Sequence, residues 1–365
     1  MPRMRFSKVT AALNGPLYSA AVLGCMLIAS DAHAQQSSCV PTGQPAAPAA
    51  GRAGRGPAAP PAPRNTAITA IAGVVSADAK WTKIWQAPAN SADGILADIN
   101  ARDGSVLVAQ EDYDTVLRID VNGKTSVAIA NAKGIGSLSM DRQGRLFGAH
   151  RTERPGSTKP DRDAIVNAIT LLSPDRKPVA VKWADGMPLS VRPNDLAADG
   201  TGGAFFTSGC LFYAGANGTA AVAGEDLRTN GIVFSPDDKI LYVTNGASVV
   251  AFDVVGTGKL ANRRDFAKLE SGGDGMAVDT DGRVYVTINA GVQVLDKSGA
   301  SLGVIPTPRG VISVAFAGPN KKTLFVVGSG ADDANGQPIR EGPQQTAATV
   351  YTLPMLSQGV QGRAK

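Results

Sequence analysis

The sequence is poor in the residues that bind transition metals. Its 365 residues include three cysteines and two histidines. It contains neither a Cys-x-x-Cys pair nor a His-x-x-x-His pair, so zinc-finger and zincin-type sites are excluded because their ligands are missing. Aromatic residues make up 5% of the chain, whereas glycine is abundant at 42 residues. This balance is typical of a fold in which turns connect many short strands.

A membrane-spanning apolar run is also missing near the N-terminus. The apolar run there covers residues 20–29, and a bilayer-spanning helix needs about 20 apolar residues. The run follows the basic residues Arg3, Arg5 and Lys8 and precedes the small-residue motif Ala32-His33-Ala34. This order predicts a cleavable signal peptide over residues 1–34, and hence a periplasmic or secreted protein without a stable membrane anchor.

The main domain has no excess of basic charge, although the net charge of the chain is +5. Residues 1–34 hold three basic residues and one acid, so their removal lowers the net charge to +3. Arg52, Arg55 and Arg64 supply that remainder, because residues 35–64 contain no acid. This Pro-, Ala- and Gly-rich stretch predicts a disordered tether. A neutral domain remains, so nucleic-acid binding, which requires a basic face, is not expected.

Removal of the signal peptide leaves two cysteines, Cys39 in the tether and Cys210 in the domain. An even count in an exported chain permits a disulfide, which would fasten the tether to the domain. Two separately used thiols are an equal alternative. We assign residues 65–357 to one folded domain and residues 358–365 to a C-terminal tail.

A short phrase recurs six times in the domain and predicts its architecture. Each copy has a small or polar residue, a short apolar run, a polar turn and a second apolar or aromatic run. The copies begin at Asp93, Gly134, Asn194, Asn230, Asp274 and Ile312. In the last three copies, the number of residues from the first residue of the phrase to its turn residue is the same. A hairpin-like phrase at a period of roughly 40 residues is typical of β-propeller blades, so we predict an all-β, six-bladed propeller.

The opening residues of these phrases form the candidate site. Equivalent positions of radially arranged blades form a ring, and four of the six positions carry Asp or Asn. Gly134 and Ile312 fill the same position, so the repeat itself does not require an oxygen ligand there. Oxygen ligands that converge on one axis suit a hard divalent cation.

Three of the phrases resemble the family of gluconolactonases, senescence marker protein (regucalcin) and luciferin-regenerating enzyme. The resemblance covers residues 91–353. It is carried by Arg192-Pro193-Asn194-Asp195-Leu196 with Phe205-Phe206-Thr207, by Thr229-Asn230-Gly231-Ile232-Val233-Phe234-Ser235-Pro236-Asp237, and by Gly273-Asp274-Gly275-Met276-Ala277-Val278-Asp279. Asn-Gly and Asp-Gly are ordinary turn dipeptides, but three such phrases in the right order are specific.

The resemblance implies one divalent cation near the top of a central channel. It implies that Asn230 and Asp274 are metal ligands, that Asp274 also acts as the catalytic base, and that Asn194 lies beside metal and substrate. The family has a Glu on its first blade, where this chain has Asp93. A flexible oxygen site can accommodate the shorter carboxylate. Glu111, after the strand pattern at residues 106–110, is the alternative first-blade ligand.

Two further residues are candidates for substrate binding. His150 is the one histidine outside the predicted signal peptide, and Arg192 precedes the Pro-Asn motif. Each has a structural alternative, His150 as a hydrogen-bonded surface residue and Arg192 as a brace for its loop. The polar insertion at residues 151–162 is the expected rim loop.

These observations predict an exported, metal-dependent lactonase of the gluconolactonase type that opens a sugar lactone or a related small ester. The expected cation is Ca²⁺, with Mn²⁺, Mg²⁺ or Zn²⁺ as alternatives, because all ligands are oxygens. A carboxylate that also binds a cation is a weak base, which suffices for an activated ester. The second hypothesis is a non-enzymatic propeller that binds a ligand or a protein at the same face. The sequence does not determine the oligomeric state.

Overall fold

A computed structural model describes Cys39 and residues 64–90, 94–151, 167–340, 344 and 347–365. The predicted signal peptide, nearly all of the tether, Asp93 and most of the rim loop lie outside these residues. The described residues form strands, turns and two short 3₁₀ helices, Glu111–Tyr113 and Pro319–Lys321. The all-β class is therefore confirmed. No helix in the described part of the chain is long and apolar enough to cross a membrane.

The first sheet after the N-terminal strand is a four-stranded meander. The N-terminal strand is β1 (Thr82–Asn90). The meander consists of β2 (Ile95–Ala97), β3 (Val106–Gln110), β4 (Thr115–Ile119) and β5 (Thr125–Ile129). All neighbouring pairs are antiparallel. The whole of β2 and β3 is buried, as expected for strands covered on both faces.

The central sheet has ten strands. Its first four are β6 (Ile135–Met140), β7 (Leu146–His150), β8 (Ala168–Ser173) and β9 (Lys177–Trp183). The next three are β10 (Leu196–Ala198), β11 (Ala204–Ala214) and β12 (Gly218–Phe234). The last three are β13 (Ile240–Asn245), β14 (Ser248–Gly256) and β15 (Lys259–Lys268).

The long strand β12 belongs to two hairpins of this sheet. Its first part pairs with β11 and, in parallel, with β9. Its last residues pair with β13. One strand therefore ends one group of strands and begins the next.

The remaining two sheets are four-stranded. One consists of β16 (Met276–Val278), β17 (Val284–Ile288), β18 (Gly291–Leu295) and β19 (Ser301–Pro306). The other consists of β20 (Val311–Ala317), β21 (Thr323–Ser329), β22 (Ala347–Pro354) and β1, in the order β1–β22–β21–β20. The N-terminal strand thus completes the last sheet by pairing with β22.

Each of the six sequence phrases forms the first hairpin of a strand group. Their first strands are β2, β6, β10, the last part of β12, β16 and β20. Each contacts the next along the chain, and β20 also contacts β2, so the series of neighbours returns to its beginning. The apolar core lies between adjacent sheets, where Tyr285 of β17, for example, packs edge-on against Phe316 of β20 with 4.8 Å between ring centroids.

Aspartates fix the turns of these hairpins. In the β6–β7 turn, Asp141 Oδ1 accepts the amides of Gln143 and Arg145 at 3.0 Å each. Asp279 makes the same pair of bonds with the amides of Asp281 and Arg283 in the β16–β17 turn. An aspartate that accepts backbone amides across a turn replaces the hydrogen bonds that the strands no longer supply. The recurring polar turns of the sequence therefore have a direct structural cause.

Candidate functional site

Three of the predicted site residues line one narrow cavity between the first strands of the groups. Asn194 and Asp274 lie just before β10 and β16, and Asn230 lies in β12 just before its final segment. The cavity has a volume of about 10 Å³, which is about the room that one water molecule or ion needs. It is lined by Gly94, Ser137, Asn194, Asp195, Asn230, Asp274, Gly275, Ile312 and Ser313.

The glycines that follow the ring residues allow this convergence. A Cβ on Gly231 would lie 1.9 Å from the carbonyl oxygen of Asp274, and a Cβ on Gly275 would lie 2.8 Å from that of Ile312. A Cβ on Gly94 would lie 2.9 Å from the Cα of Ser137. In each case the neighbouring first strand packs directly on the glycine. The Asn-Gly and Asp-Gly dipeptides are therefore sites of close backbone approach, and none of these glycines has a positive φ.

Recurring threonines hold the backbone of the ring residues. Thr207 accepts the Asn194 amide on its carbonyl oxygen at 2.7 Å, and its hydroxyl donates to the carbonyl of Asn230. Thr244 Oγ1 accepts the amides of Asn230 and Gly231 at 3.1 and 2.8 Å. These hydrogen bonds lie in the buried interior, because both threonines are 0% exposed.

A third threonine completes the pattern. The Thr287 carbonyl accepts the Asp274 amide at 2.9 Å, and Thr287 is also fully buried. Thr207, Thr244 and Thr287 end the second apolar run of three consecutive phrases, after Phe-Phe, Tyr-Val and Tyr-Val. This recurrence is visible in the sequence, although the threonines are not among the predicted site residues. They position the ring residues without lining the cavity.

The side chains of the two asparagines are in direct contact. Asn194 Nδ2 donates to Asn230 Oδ1. The amide oxygen of Asn230 keeps a second lone pair, so it can still serve as a ligand. The side-chain amides of Asn194 and Asn230 are therefore coupled by this hydrogen bond.

The alternative first-blade carboxylate, Glu111, pairs with arginines. Arg192 Nη2 donates to Glu111 Oε1 at 2.7 Å, and Arg151 Nη1 lies 3.5 Å from Glu111 Oε2. Glu111 is not among the residues that line the narrow cavity. Asp93, the first choice from the sequence, lies outside the described residues, although the adjacent Gly94 lines the cavity.

Arg151 connects this ion-pair cluster to the ring. Its guanidinium is buried, and Nη2 donates to the carbonyl oxygen of Asn194. Gly136 makes room for it, because a Cβ there would lie 2.2 Å from Arg151 Nε. The sequence places Arg151 at the start of the expected rim loop and does not reveal this contact. Arg192 also braces its own loop, since its carbonyl accepts the Ser208 hydroxyl at 2.7 Å.

His150 lies apart from the narrow cavity. Its Nδ1 is 2.6 Å from the carbonyl oxygen of Lys133, which requires a proton on Nδ1. Its Nε2 is enclosed and has no hydrogen-bond partner in the described structure. Burial lowers the pKa of His150, the Lys133 carbonyl opposes this shift, and the charge of Arg176 adds to it. The neutral imidazole is therefore favoured.

A second, wider cavity adjoins Asn230. Its volume is about 610 Å³, and its lining includes Asn230, Gly273, Arg228 and the disulfide between Cys39 and Cys210. Of the two alternatives that the sequence left open for these cysteines, the structure has the bonded one. Cys39 is 8% exposed and packs among apolar residues of the neighbouring strands, including Phe206.

The donor set of the narrow cavity suits a hard cation. It combines the Asp274 carboxylate with the amide oxygens of Asn194 and Asn230, and calcium and magnesium bind such oxygen ligands. Among the described residues, no three His, Cys, Asp or Glu side chains gather as a metal-binding group. A site in this cavity therefore depends on amide and backbone oxygens in addition to carboxylates.

Comparison with known proteins places the chain in a family. Residues 114–330 match the model of the SMP-30/Gluconolactonase/LRE-like region. A lactonohydrolase of Aspergillus oryzae is 29% identical over 131 residues, which are 28% of this chain and 30% of the relative. Regucalcin of Sus scrofa is 33% identical over 108 residues, which are 27% of this chain and 36% of the relative. The matched stretches thus span about a third of the length of these relatives.

Solved structures share the fold. A gluconolactonase from Xanthomonas campestris has a TM-score of 0.59 and 22% identity, with 83% of this chain and 99% of that chain covered. A calcium-binding regucalcin from Agrobacterium tumefaciens has a TM-score of 0.54 and 15% identity, with coverage of 75% and 92%. These TM-scores support a common propeller-like fold. Since the family model covers more than half of the sequence, the chain belongs to the SMP-30/gluconolactonase/LRE-like family.

Proposed function

We propose that this protein is an exported six-bladed β-propeller that hydrolyses a sugar lactone or a related small ester with the help of a divalent cation. The observation that carries the proposal is the convergence of Asn194, Asn230 and Asp274 on one narrow cavity. The six strand groups, whose first strands contact one another in series, support the blade count. Lactonohydrolases and a gluconolactonase among the similar proteins support the reaction class.

Asp274 and Asn230 would hold the cation, with Asn194 beside it and Asp93 as the first-blade ligand. Ca²⁺ is the preferred candidate, because the donors are oxygens and one structural relative is described as calcium-binding. When bound, a divalent cation supplies Lewis acidity, which polarises a carbonyl and makes water more acidic. Mn²⁺, Mg²⁺ and Zn²⁺ remain alternatives.

The protein side chains have distinct roles in this reaction. The Asp274 carboxylate receives the proton of a water molecule as the water oxygen attacks the lactone carbonyl carbon. Asp274 returns that proton to the ester oxygen of the lactone ring as the bond between this oxygen and the carbonyl carbon breaks, so the product is a hydroxy acid. The threonine hydrogen bonds described above hold Asn194, Asn230 and Asp274 at fixed positions, which avoids reorganisation during the reaction.

Arg192 is the proposed contact for hydroxyl or carboxyl groups of the substrate. Its guanidinium is partly exposed, with 25% of the side chain accessible, and it is held by Glu111. His150 is a weaker candidate for substrate contact, because its enclosed Nε2 does not line the narrow cavity.

Export is part of the proposal. The disulfide between Cys39 and Cys210 supports it, because disulfides persist in oxidising compartments such as the periplasm and the extracellular space. The signal-peptide pattern of residues 1–34 points to the same compartments.

The test is hydrolysis of a panel of aldonolactones by the purified protein. Activity should disappear after EDTA treatment and return on addition of Ca²⁺ or another of the named cations. Asp274→Asn should lower kcat at least ~10²-fold, the typical contribution of a general base. Asp281→Asn, which removes an exposed carboxylate of the same hairpin, serves as the control and should retain activity.

Two outcomes would reject the proposal. Full activity of Asp274→Asn would remove the assigned base. No turnover of any lactone or small ester by a folded protein that binds a cation would favour the non-enzymatic binding propeller.

A further inference from the structure

The last residues of the chain occupy the side of the ring opposite to the candidate site. Ala97 and Phe234 are the final residues of their strands, β2 and β12. The Ala364 carbonyl accepts the Ala97 amide at 2.9 Å, and Arg363 Nη1 donates to the Phe234 carbonyl at 3.0 Å. The candidate site lies at the N-terminal ends of the first strands. Residues 363–365 therefore reach it from the C-terminal ends of those strands.

This segment is packed and not a loose tail. Arg363 is 8% exposed and Ala364 is 2% exposed. Upstream, Gly359 forms a bridge with Asp279, and its amide donates to the Lys321 carbonyl at 2.9 Å. The packing also brings the positively charged side chain of Lys365 into the interior, where it is 8% exposed.

Lys365 forms an ion pair with an aspartate of the candidate site. Its Nζ lies 3.1 Å from Asp195 Oδ1 and 3.3 Å from Asp195 Oδ2. The same carboxylate accepts the Ser137 hydroxyl at 2.6 Å and the Leu196 amide at 2.9 Å. A buried carboxylate needs such partners, since an uncompensated buried charge is strongly unfavourable.

The position of Asp195 gives this ion pair its importance. Asp195 follows Asn194 in the sequence and lines the same narrow cavity as Asn230 and Asp274. Two aspartates therefore line the cavity, and Asp195 has an ammonium partner from the chain. Without that partner, Asp195 would compete with Asp274 for any cation in the cavity, because carboxylate oxygens are the preferred ligands of hard cations.

We propose that Lys365 is a positioning residue that acts as a built-in counter-ion for Asp195 and thereby reserves the cation for Asp274 and Asn230. The inference about the cation rests on the proposed function, whereas the ion pair itself does not.

The experiment compares Lys365→Met, Lys365→Arg and the double variant Lys365→Met/Asp195→Asn with the wild type. The first readout is titration of the metal-free protein with Ca²⁺ by calorimetry, and the second is kcat for a lactone. Lys365→Met should bind Ca²⁺ about 10-fold more tightly and lose at least about 10-fold in kcat, because Asp195 then becomes a ligand. The double variant removes the unbalanced charge and should return the Ca²⁺ affinity to within about 3-fold of the wild type.

Lys365→Arg keeps the positive charge and should resemble the wild type, which separates loss of charge from a change in packing. Lys322→Met, which removes an exposed lysine beside Lys321, is the matched control and should change neither readout. If Lys365→Met does not fold, the arginine and double variants still decide the question. Wild-type affinity and kcat in Lys365→Met would overturn the proposal, as would a double variant that differs from the wild type as much as Lys365→Met does.

A failure of the proposed function gives a different result. If the wild type neither binds Ca²⁺ nor hydrolyses a lactone, thermal unfolding still tests the counter-ion. Lys365→Met should then lower Tm by several degrees, and the added Asp195→Asn substitution should recover most of that loss. Equal Tm values for the wild type and Lys365→Met would show that the ion pair has no role.

Discussion

At the scale of single residues, the ring depends on glycines as much as on Asn230 and Asp274, its proposed ligands. Asn230 can reach the cavity because Gly231 lets the backbone of Asp274 lie against it, with no room for a Cβ. Gly275, which follows Asp274, likewise leaves no room for a Cβ because the backbone of Ile312 lies against it. Each of these two residues therefore forms one unit with the glycine after it. The Asn or Asp supplies a side-chain oxygen, and the glycine allows the neighbouring backbone to lie close.

A substitution of Gly231 should consequently destabilise the whole ring. Gly231→Ala places a Cβ 1.9 Å from the Asp274 carbonyl oxygen, so the strands must separate. Overpacking of this kind typically costs about 1–3 kcal/mol, and we expect a loss in this range in urea unfolding. We also expect a weaker affinity for Ca²⁺, because Asn230 and Asp274 move apart.

The control for this prediction is Gly272→Ala. A Cβ on Gly272 would meet nothing within 4 Å, and its φ is not positive. Such a position gains stability of up to about 1 kcal/mol from reduced freedom of the unfolded chain. Similar unfolding free energies for Gly231→Ala and Gly272→Ala would contradict the role assigned to Gly231.

At the scale of elements, the disulfide fastens the N-terminal segment at Cys39 to strand β11. The two cysteines are 171 residues apart in sequence, so the bond closes a long loop in the unfolded chain. Cys39 also forms part of the wall of the cavity that adjoins Asn230. A contact that is distant in sequence therefore contributes both to stability and to the surroundings of the site.

Loss of this bond should lower the stability of the protein. Removal of a native disulfide typically costs about 2–5 kcal/mol, with the larger values for long loops. We expect Cys39→Ser, Cys210→Ser and addition of a reductant to the wild type to lower the unfolding free energy by similar amounts in this range. Combining both substitutions should add little beyond either one, because each already removes the bond.

The wall of the cavity provides a second readout. If Cys39 shapes the entrance to Asn230, reduction should change KM for a lactone more than kcat. A stability that reductant leaves unchanged would mean that the bond does not form in the native protein.

At the scale of the whole molecule, the sequence predicts the ring of site residues but not the long-range contacts that surround it. Asn194, Asn230 and Asp274 could be brought together in advance because a repeated hairpin places its first residues at equivalent positions. Thr207, Thr244 and Thr287 were open to the same reasoning, since they recur at the ends of the phrases. These inferences need only local periodicity.

Asp195, Arg151 and Lys365 could not be assigned in the same way. The contact between Lys365 and Asp195 joins residues 170 positions apart, and neither belongs to a recurring pattern that would predict it. Arg151 reaches Asn194 only because Gly136 leaves its path open. Contacts of this type follow from the packed three-dimensional arrangement, which a pattern of apolar residues does not specify.

The packed C-terminal segment should also give the molecule an unusual alkaline stability profile. Lys321 is buried, and its ammonium donates to the carbonyl of Val360 at 3.1 Å and to that of Arg363. Burial lowers the pKa of Lys321 from 10.5 to about 8. Between these values the unfolded chain holds the proton that the folded chain has released, so stability rises with pH by up to about 1.4 kcal/mol per pH unit.

Buried tyrosines should reverse this rise above pH 10. Burial, with a further contribution from the charge of Asp279, raises the pKa of Tyr285 above its ordinary value of 10. The unfolded chain then loses the tyrosine proton first, and stability falls as pH increases further. Urea unfolding at pH values from 7 to 12 should therefore show a maximum near pH 10. Lys321→Met should remove the rise below pH 10, and Tyr285→Phe should reduce the fall above it. A wild-type stability that stays constant from pH 8 to pH 10, with the same profile in Lys321→Met, would show that the carbonyl partners fully compensate the burial of the ammonium.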